Sequence, residues 1–408
     1  MAVEGTCESG FARVRGEFER NFAERSEVGA SVCVTVDGQT VVDLWGGSAD
    51  PATGRAWDRD TVGHVWSATK GATALCAHIL ASRGQLDINA PVTAYWPEFG
   101  KNGKEGVLVR HLLSHQAGLP AVRTPLPAGC FYDWPLMADA LAAEEPFWRP
   151  GTRTGYHALT FGFLVGELVR RISGRGLGQF FAAEVAGPLG LDFWLGLPAE
   201  HEHRVAPTIP AAPPGAGNPV PSMYLAALSD PASMQGLMLA NNGGYMLVPG
   251  ESDSRAAHAA QMGAVGGITH ARGLAGMYRP LAVGGAADGV TLVDPDQIHL
   301  MGTVTAATSV DAVLLVPTRW ALGFVKSVDN RHLPVADREG ILLSEEAFGH
   351  SGMGGSLGFA DPRARLSFGY TMNRQGMGLG INERGQSLVD AVYATLGYRR
   401  AAGGPWYP

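Results

Sequence analysis

The sequence predicts an α/β (α+β) protein, with an antiparallel sheet built from both ends of the chain and flanked by helices. A mainly helical second domain is expected between those ends. Three observations carry this. A helix and a hairpin open the chain, apolar helical repeats fill its middle, and alternating strands with a final helix close it. The expected division assigns residues 1–95 and 269–408 to the sheet domain, and 96–268 to the helical domain with long rim loops.

Composition supports a sizeable core. Of 408 residues, 46% are hydrophobic and 17% charged, a balance that argues against extended disorder. Net charge is −7 and no Lys/Arg-rich run stands out, so nucleic acid is not an expected partner. No apolar run reaches the ~18 residues needed to cross a bilayer, and no membrane span is expected. Cys7, Cys33, Cys76 and Cys130 are scattered without CxxC pairing, which fits reduced thiols better than a disulfide framework or a zinc site. The first twenty residues lack a basic segment followed by an apolar one, so a cytoplasmic location is expected.

Along the chain, Phe11, Val14, Phe18 and Phe22 recur at helical spacing and predict a helix over 9–25. GASVCVTVDGQTVVDLWGG then offers two β-branched runs around Asp37-Gly38, a hairpin signal. A second helix is expected from Ser67 to Gly84, since glycine suits the left-handed position after a helix end. Pro91 and Pro97 make the next stretch irregular, and HLLSH reads as a short helix. Further helices are expected over 134–145 and 158–173. Residues 205–253, rich in Pro, Gly, Ser and Asn, read as a long loop rimming a cleft. A helix over 269–283 with Thr269 as N-cap follows. WALGFVKS, FGHSGMGGSLGFADP and ARLSFGYTMN read as strands, with a turn at Asp361-Pro362. Leu388, Val389, Val392, Tyr393 and Leu396 define the closing helix.

Chemistry enters at WSATKG, residues 66–71. Lys70 is the only fully charged residue between Trp66 and Ser82, three positions after Ser67 at the head of an apolar helix. A serine hydroxyl needs a base to become a nucleophile. Burial and the positive helix end both depress a lysine pKa, and residues three apart can meet. The Ser67 backbone N–H, unused by a helix at its first turn, is an oxyanion donor candidate. The plainer alternative is a capping serine beside a lysine that reaches water. Tyr156, between a Pro-Gly turn and an apolar helix, is a second candidate. A phenol near an ammonium loses its proton more readily and can serve as base or shuttle. HSGMGG at 350–355 is the third, its glycines allowing close approach of a substrate to a strand edge.

Ser67-x-x-Lys70, then Tyr156, then His350-Ser351-Gly352, in that order, resemble the serine β-lactamase and penicillin-binding protein superfamily. With VRHLLSHQAGLP and the PGTRTGYH turn, the likeness is to the class C-type branch, and within it to family VIII carboxylesterases. The resemblance implies a β-lactamase/DD-peptidase-like fold. It implies Ser67 as acylated nucleophile, Lys70 as base, and Tyr156 as the residue that shares the proton and protonates the leaving group. His350, Ser351 and Gly352 match a Lys-Thr-Gly strand, and Met353 would supply the second oxyanion N–H. Two departures matter. Ala158 stands where a β-lactamase has asparagine, and His350 where it has lysine, which weakens recognition of an anionic β-lactam.

An ester hydrolase acting on short or compact acyl esters is therefore expected, with a small-molecule ester as partner and neither cofactor nor metal. The oligomeric state stays open. A β-lactamase or penicillin-binding-like amide hydrolase, an acyltransferase using the same acyl-enzyme, and a catalytically silent binder are the alternatives. Segments 120–135 and 207–225 are expected to border the substrate pockets. Ser356 sits in a GxSxG pattern, but a hairpin follows it where an α/β-hydrolase needs a helix. His111 and His115, four apart, lack a third ligand, and His201 and His203 read as a solvated run.

Overall fold

A computed structural model describes residues 2–212, 219–338, 340–378, 380–400 and 404–408. The main sheet takes three strands from each end of the chain. Val3–Cys7 (β1), Gly29–Val36 (β2) and Gln39–Asp50 (β3) join Phe348–Ser351 (β4), Leu357–Asp361 (β5) and Leu366–Met372 (β6). Their order is β1-β3-β2-β6-β5-β4, every neighbour antiparallel. β2 and β6, close to the two ends of the chain in sequence, pair from Ala30↔Met372 to Val36↔Leu366.

The hairpin turn is where the sequence places it. Asp37 and Gly38 both have positive φ, +51° and +79°, the conformation that a two-residue turn between right-twisted strands requires. Alternation along β2 serves both faces. Val32 and Val34 pack with Val14 and Phe18 of Ala12–Glu24 (α1) and with Leu388 and Val392 of Glu383–Thr395 (α5). Cys33, facing the other way, meets Ala271 and Ala275 of Ala271–Ala282 (α4). The sheet is thus sandwiched between helices, and each fully buried Val or Phe contributes about 1.5–3 kcal/mol. The four cysteines are free, and Cys33, Cys76 and Cys130 are buried.

Thr69–Ser82 (α2) is buried through Leu80 and packs between Phe161–Ser173 (α3) and the sheet. Its stop signal works as expected: Gly84 has φ +70°, and the Gln85 amide donates to the Leu80 carbonyl. α3 likewise ends at Gly174, φ +69°. Several expectations are corrected. Residues 205–253 are not a continuous loop, because Ser222–Ser229 and Met234–Ala240 are helical. Residues 213–218 of the expected rim lie outside the described residues. Thr269 does not cap α4; it closes the strand Gly267–Thr269, and His270 Nδ1 accepts from the Gly273 amide instead. Of WALGFVKS only Trp320 is in a strand, Thr318–Trp320, paired with Ala306–Thr308.

A small second sheet was not anticipated. Phe193–Leu195, Gly267–Thr269, Val62–His64 and Val205–Ala206 line up in that order, and the third of these strands delivers the chain to Trp66 and Ser67. No helix among the described residues is long and apolar enough to cross a membrane.

Candidate active site

The turn between Val62–His64 and α2 presents Ser67. Trp66 is held at φ +48°, a left-handed value that is strained for a bulky residue. His64 stacks on the Trp66 ring at 4.3 Å, and the Trp66 carbonyl accepts from both the amide and the hydroxyl of Thr69. Ser67 therefore stands on a packed elbow just ahead of the helix, not in its first turn. Lys70, one turn on, is fully buried.

The surroundings of Lys70 define its protonation. Its Nζ lies 2.7 Å from the Ala158 carbonyl, 3.0 Å from the Ala264 carbonyl and 3.0 Å from Ser67 Oγ. Burial drives its pKa well below the ordinary lysine value. An ammonium there can donate to all three oxygens. A neutral amine, giving its two N–H bonds to the carbonyls, would turn its lone pair to the Ser67 hydroxyl, the arrangement a general base needs.

Tyr156 faces the same point, with Lys70 Nζ 4.8 Å from its ring centroid. The expectation of an easily ionised phenol is corrected. Burial raises the Tyr156 pKa, a hydrogen bond with Ser67 opposes this, and the Asp311 carboxylate raises it further. Burial disfavours charge on both groups. Tyr156 is clamped: its amide donates to Asp311 Oδ1 at 2.9 Å, and its ring stacks on Trp320 at 5.2 Å with 5° between planes. His115, at φ +60°, meets Tyr156 and Trp320 edge-on and Phe161 tilted, stacks on His157, and its Nδ1 accepts from the His157 amide. It is a buried wedge, and His111 Nδ1 caps its own helix by accepting from Leu108. Among the described residues no cluster of three metal-ligating side chains exists.

The HSG strand lies opposite. His350 is buried and its pKa falls to about 3, mainly through burial and then through Lys70, against the Ser351 carbonyl that holds its Nδ1–H at 2.6 Å. The ring is therefore neutral at pH 7. Beyond it, three of the four amides of residues 352–355 are spent: Gly352 on the Ser356 carbonyl, Gly354 on Gly378 and Gly355 on Gly352. Among the described residues the amides of Met353 and Ser67 have no acceptor, and both residues line one narrow cavity with Tyr156. Ser356 is no nucleophile; its hydroxyl donates to the Val65 carbonyl at 2.8 Å, tying this loop to the Ser67 elbow.

Gly352 is required by space. A Cβ there would stand 2.1 Å from the Val65 carbonyl oxygen and 2.2 Å from Ser356 Oγ. Gly352→Ala is expected to destabilise the fold by about 3 kcal/mol and to lower activity by pushing the two loops apart. A thermal melt within a degree of wild type would contradict this reading.

A larger apolar pocket opens beside Tyr156 and His350, walled by Met223, Leu314, Val316, Trp320 and Val325. Arg319 also borders it, but its guanidinium is committed to Glu345 and the Ser327 carbonyl. Pro221, Met223 and Tyr224 of the expected 207–225 rim line this pocket; residues 120–135 line neither cavity, and Cys130 and Phe131 are core. His201 stacks on Trp194, away from the site. Sequence reasoning missed Asp311 and Trp320, which come from segments with no motif, and the Ala158 and Ala264 carbonyls, which no residue type can signal.

A fold of this kind with a serine, a buried lysine and a tyrosine in contact belongs to a defined class. The family model described as Beta-lactamase matches residues 18–392, and the chain belongs to that family. The esterase/beta-lactamase LipL of Mycobacterium tuberculosis is 35% identical over 380 residues, spanning 91% of this chain and 83% of the relative. A solved family VIII carboxylesterase superposes with a TM-score of 0.85 at 37% identity, covering 97% of this chain and all of that one. A penicillin-binding protein homolog from Caulobacter crescentus gives 0.83 at 34%, with 97% and 100% covered.

Proposed function

We propose that the protein is a serine carboxylesterase acting on neutral esters with short or compact acyl groups. The carrying observation is the fully buried Lys70 Nζ within hydrogen-bond reach of Ser67 Oγ and of the Ala158 and Ala264 carbonyls; once neutral, it gives its N–H bonds to the carbonyls and its lone pair to Ser67. Lys70 takes the Ser67 proton as Oγ attacks the ester carbonyl. The amides of Ser67 and Met353 hold the resulting oxyanion. Tyr156 relays the proton from Lys70 to the departing alcohol, and the C–O bond breaks. Water then attacks the acyl-enzyme, returning its proton through the same groups to Ser67. No cofactor enters this cycle.

Pocket chemistry supports an ester over an anionic β-lactam. Tyr156, which protonates the leaving group, borders both cavities, and the larger apolar pocket is assigned to the alcohol. There His350 is neutral and Arg319 is paired, so a substrate carboxylate would lose its hydration for no cation. The narrower cavity between Ser67, Met238 and Met246 fits a compact acyl group. β-Lactam hydrolysis is the second reading, favoured by the intact acylating groups and by the double name of the M. tuberculosis relative.

A chromogenic short-chain ester assayed beside nitrocefin separates the two. The expected result is ester kcat/KM at least about 100-fold above that for nitrocefin, a difference of roughly 2.7 kcal/mol in transition-state binding. Faster turnover of nitrocefin than of the ester would instead establish the β-lactamase reading.

A further inference from the structure

We propose that Gln375 is a positioning residue that sets the oxyanion hole from behind, by fixing with one amide the two chain segments that donate to it. The inference rests on the serine-esterase reading above and adds a residue that neither the motifs nor the sequence patterns single out.

Gln375 follows β6 and is 8% exposed. Only one orientation of its side chain satisfies its neighbours. In it the NH2 group donates to the Met353 carbonyl at 2.8 Å, and the amide oxygen accepts from Trp66 Nε1 at 3.1 Å. Trp66 precedes Ser67 and Met353 carries the second unspent amide, so a single planar group spans both halves of the hole. Its own backbone is anchored, because the Gln375 amide donates to the Ile209 carbonyl at 2.9 Å.

The loop is built around this contact. A Cβ at Gly354 would stand 2.9 Å from Gln375 Cα, and Gly354 has φ +84°. Glycine is thus needed both for the turn and for the approach of Gln375. The Gly354 carbonyl accepts from the Gly376 amide at 3.0 Å and from Asn382 Nδ2 at 2.8 Å. Gln375, Gly376, Gly378 and Asn382 thus take the Met353 carbonyl and both backbone polar groups of Gly354, while the Met353 N–H stays free for the site. Holding the Met353 carbonyl restricts rotation of that residue, and holding the Trp66 ring restricts the strained elbow. Preorganised donors of this kind stabilise charge that exists only in the transition state. Gln375 should therefore govern kcat and leave ground-state binding alone.

Two variants test this with short-chain chromogenic esters, with active enzyme counted by fluorophosphonate titration. Gln375→Met keeps the volume and removes both hydrogen bonds. It is expected to lower kcat per active site on the order of 100-fold, with KM within about twofold of wild type. A boronic acid that mimics the tetrahedral state should weaken by the same factor as kcat. Gln375→Glu retains the acceptor for Trp66 but, when ionised, turns a second acceptor on the Met353 carbonyl. Its activity relative to wild type at each pH should recover as pH falls through the carboxyl range, where the protonated acid donates again.

Gln375 variants with kcat per active site within twofold of wild type overturn the proposal. So does a loss in which kcat and KM change together with no low-pH recovery in Gln375→Glu. These outcomes are distinct from failure of the esterase reading, which would appear as absent ester turnover in the wild-type enzyme.

Discussion

Ser67→Ala is expected to lower kcat for short-chain esters by about 100,000-fold or more, with the fold intact. The estimate follows from hydrolases in which loss of the nucleophile alone removes nearly all of the machinery's effect, because its members act as a unit. Stability should change little. Ser67 Oγ is held by Lys70 and Tyr156, while its neighbours Trp66 and Thr69 carry the structural hydrogen bonds of the elbow. Circular dichroism and a melt would establish folding, and a stopped assay at high enzyme concentration would read the residual rate. Turnover within about tenfold of wild type would place the nucleophile elsewhere.

Lys70→Arg is expected to lower kcat/KM by about 10,000-fold, and raising the pH should not restore it. A guanidinium stays protonated in proteins and offers no lone pair, so it cannot take the Ser67 proton. In the wild type, burial holds the Lys70 pKa well below its ordinary value, so the acid limb of the activity profile should lie well below the ordinary lysine range. His350 should add no inflection near pH 6.5, since its pKa lies at about 3. Stability carries the same signature. Between the depressed folded value and the unfolded lysine value of about 10.4, the unfolded chain binds a proton that the folded chain does not. Stability from this group therefore rises with pH across that window. Lys70→Met removes the titrating group, so the stability of the variant should rise less steeply over the same range. Parallel curves would mean that Lys70 is charged in the fold.

What was legible in the sequence was local. The hairpin at Asp37-Gly38 and the ends of α2 and α3 at Gly84 and Gly174 depend on residues near one another. The small sheet was hidden because its strands are two or three residues long and come from four distant segments. The helices Ser222–Ser229 and Met234–Ala240 were masked by the surrounding Pro and Gly, although Pro221 and the capping Ser233 mark their starts. Asp311 acts on Tyr156 across 155 residues through a backbone amide, a contact that only folding creates. The ionisation of Tyr156 was misjudged for a related reason. A neighbouring ammonium would lower its pKa, but burial disfavours that ammonium and raises the phenol.

In the proposed cycle Ser67, activated by a neutral Lys70, attacks the substrate carbonyl. Intact-mass and peptide mapping after treatment with a fluorophosphonate test it most directly. One adduct per chain is expected, on Ser67, forming at neutral pH in the wild type and not in Lys70→Arg over the same interval. An adduct on another residue, or active ester hydrolysis from a chain that acquires none, would contradict it.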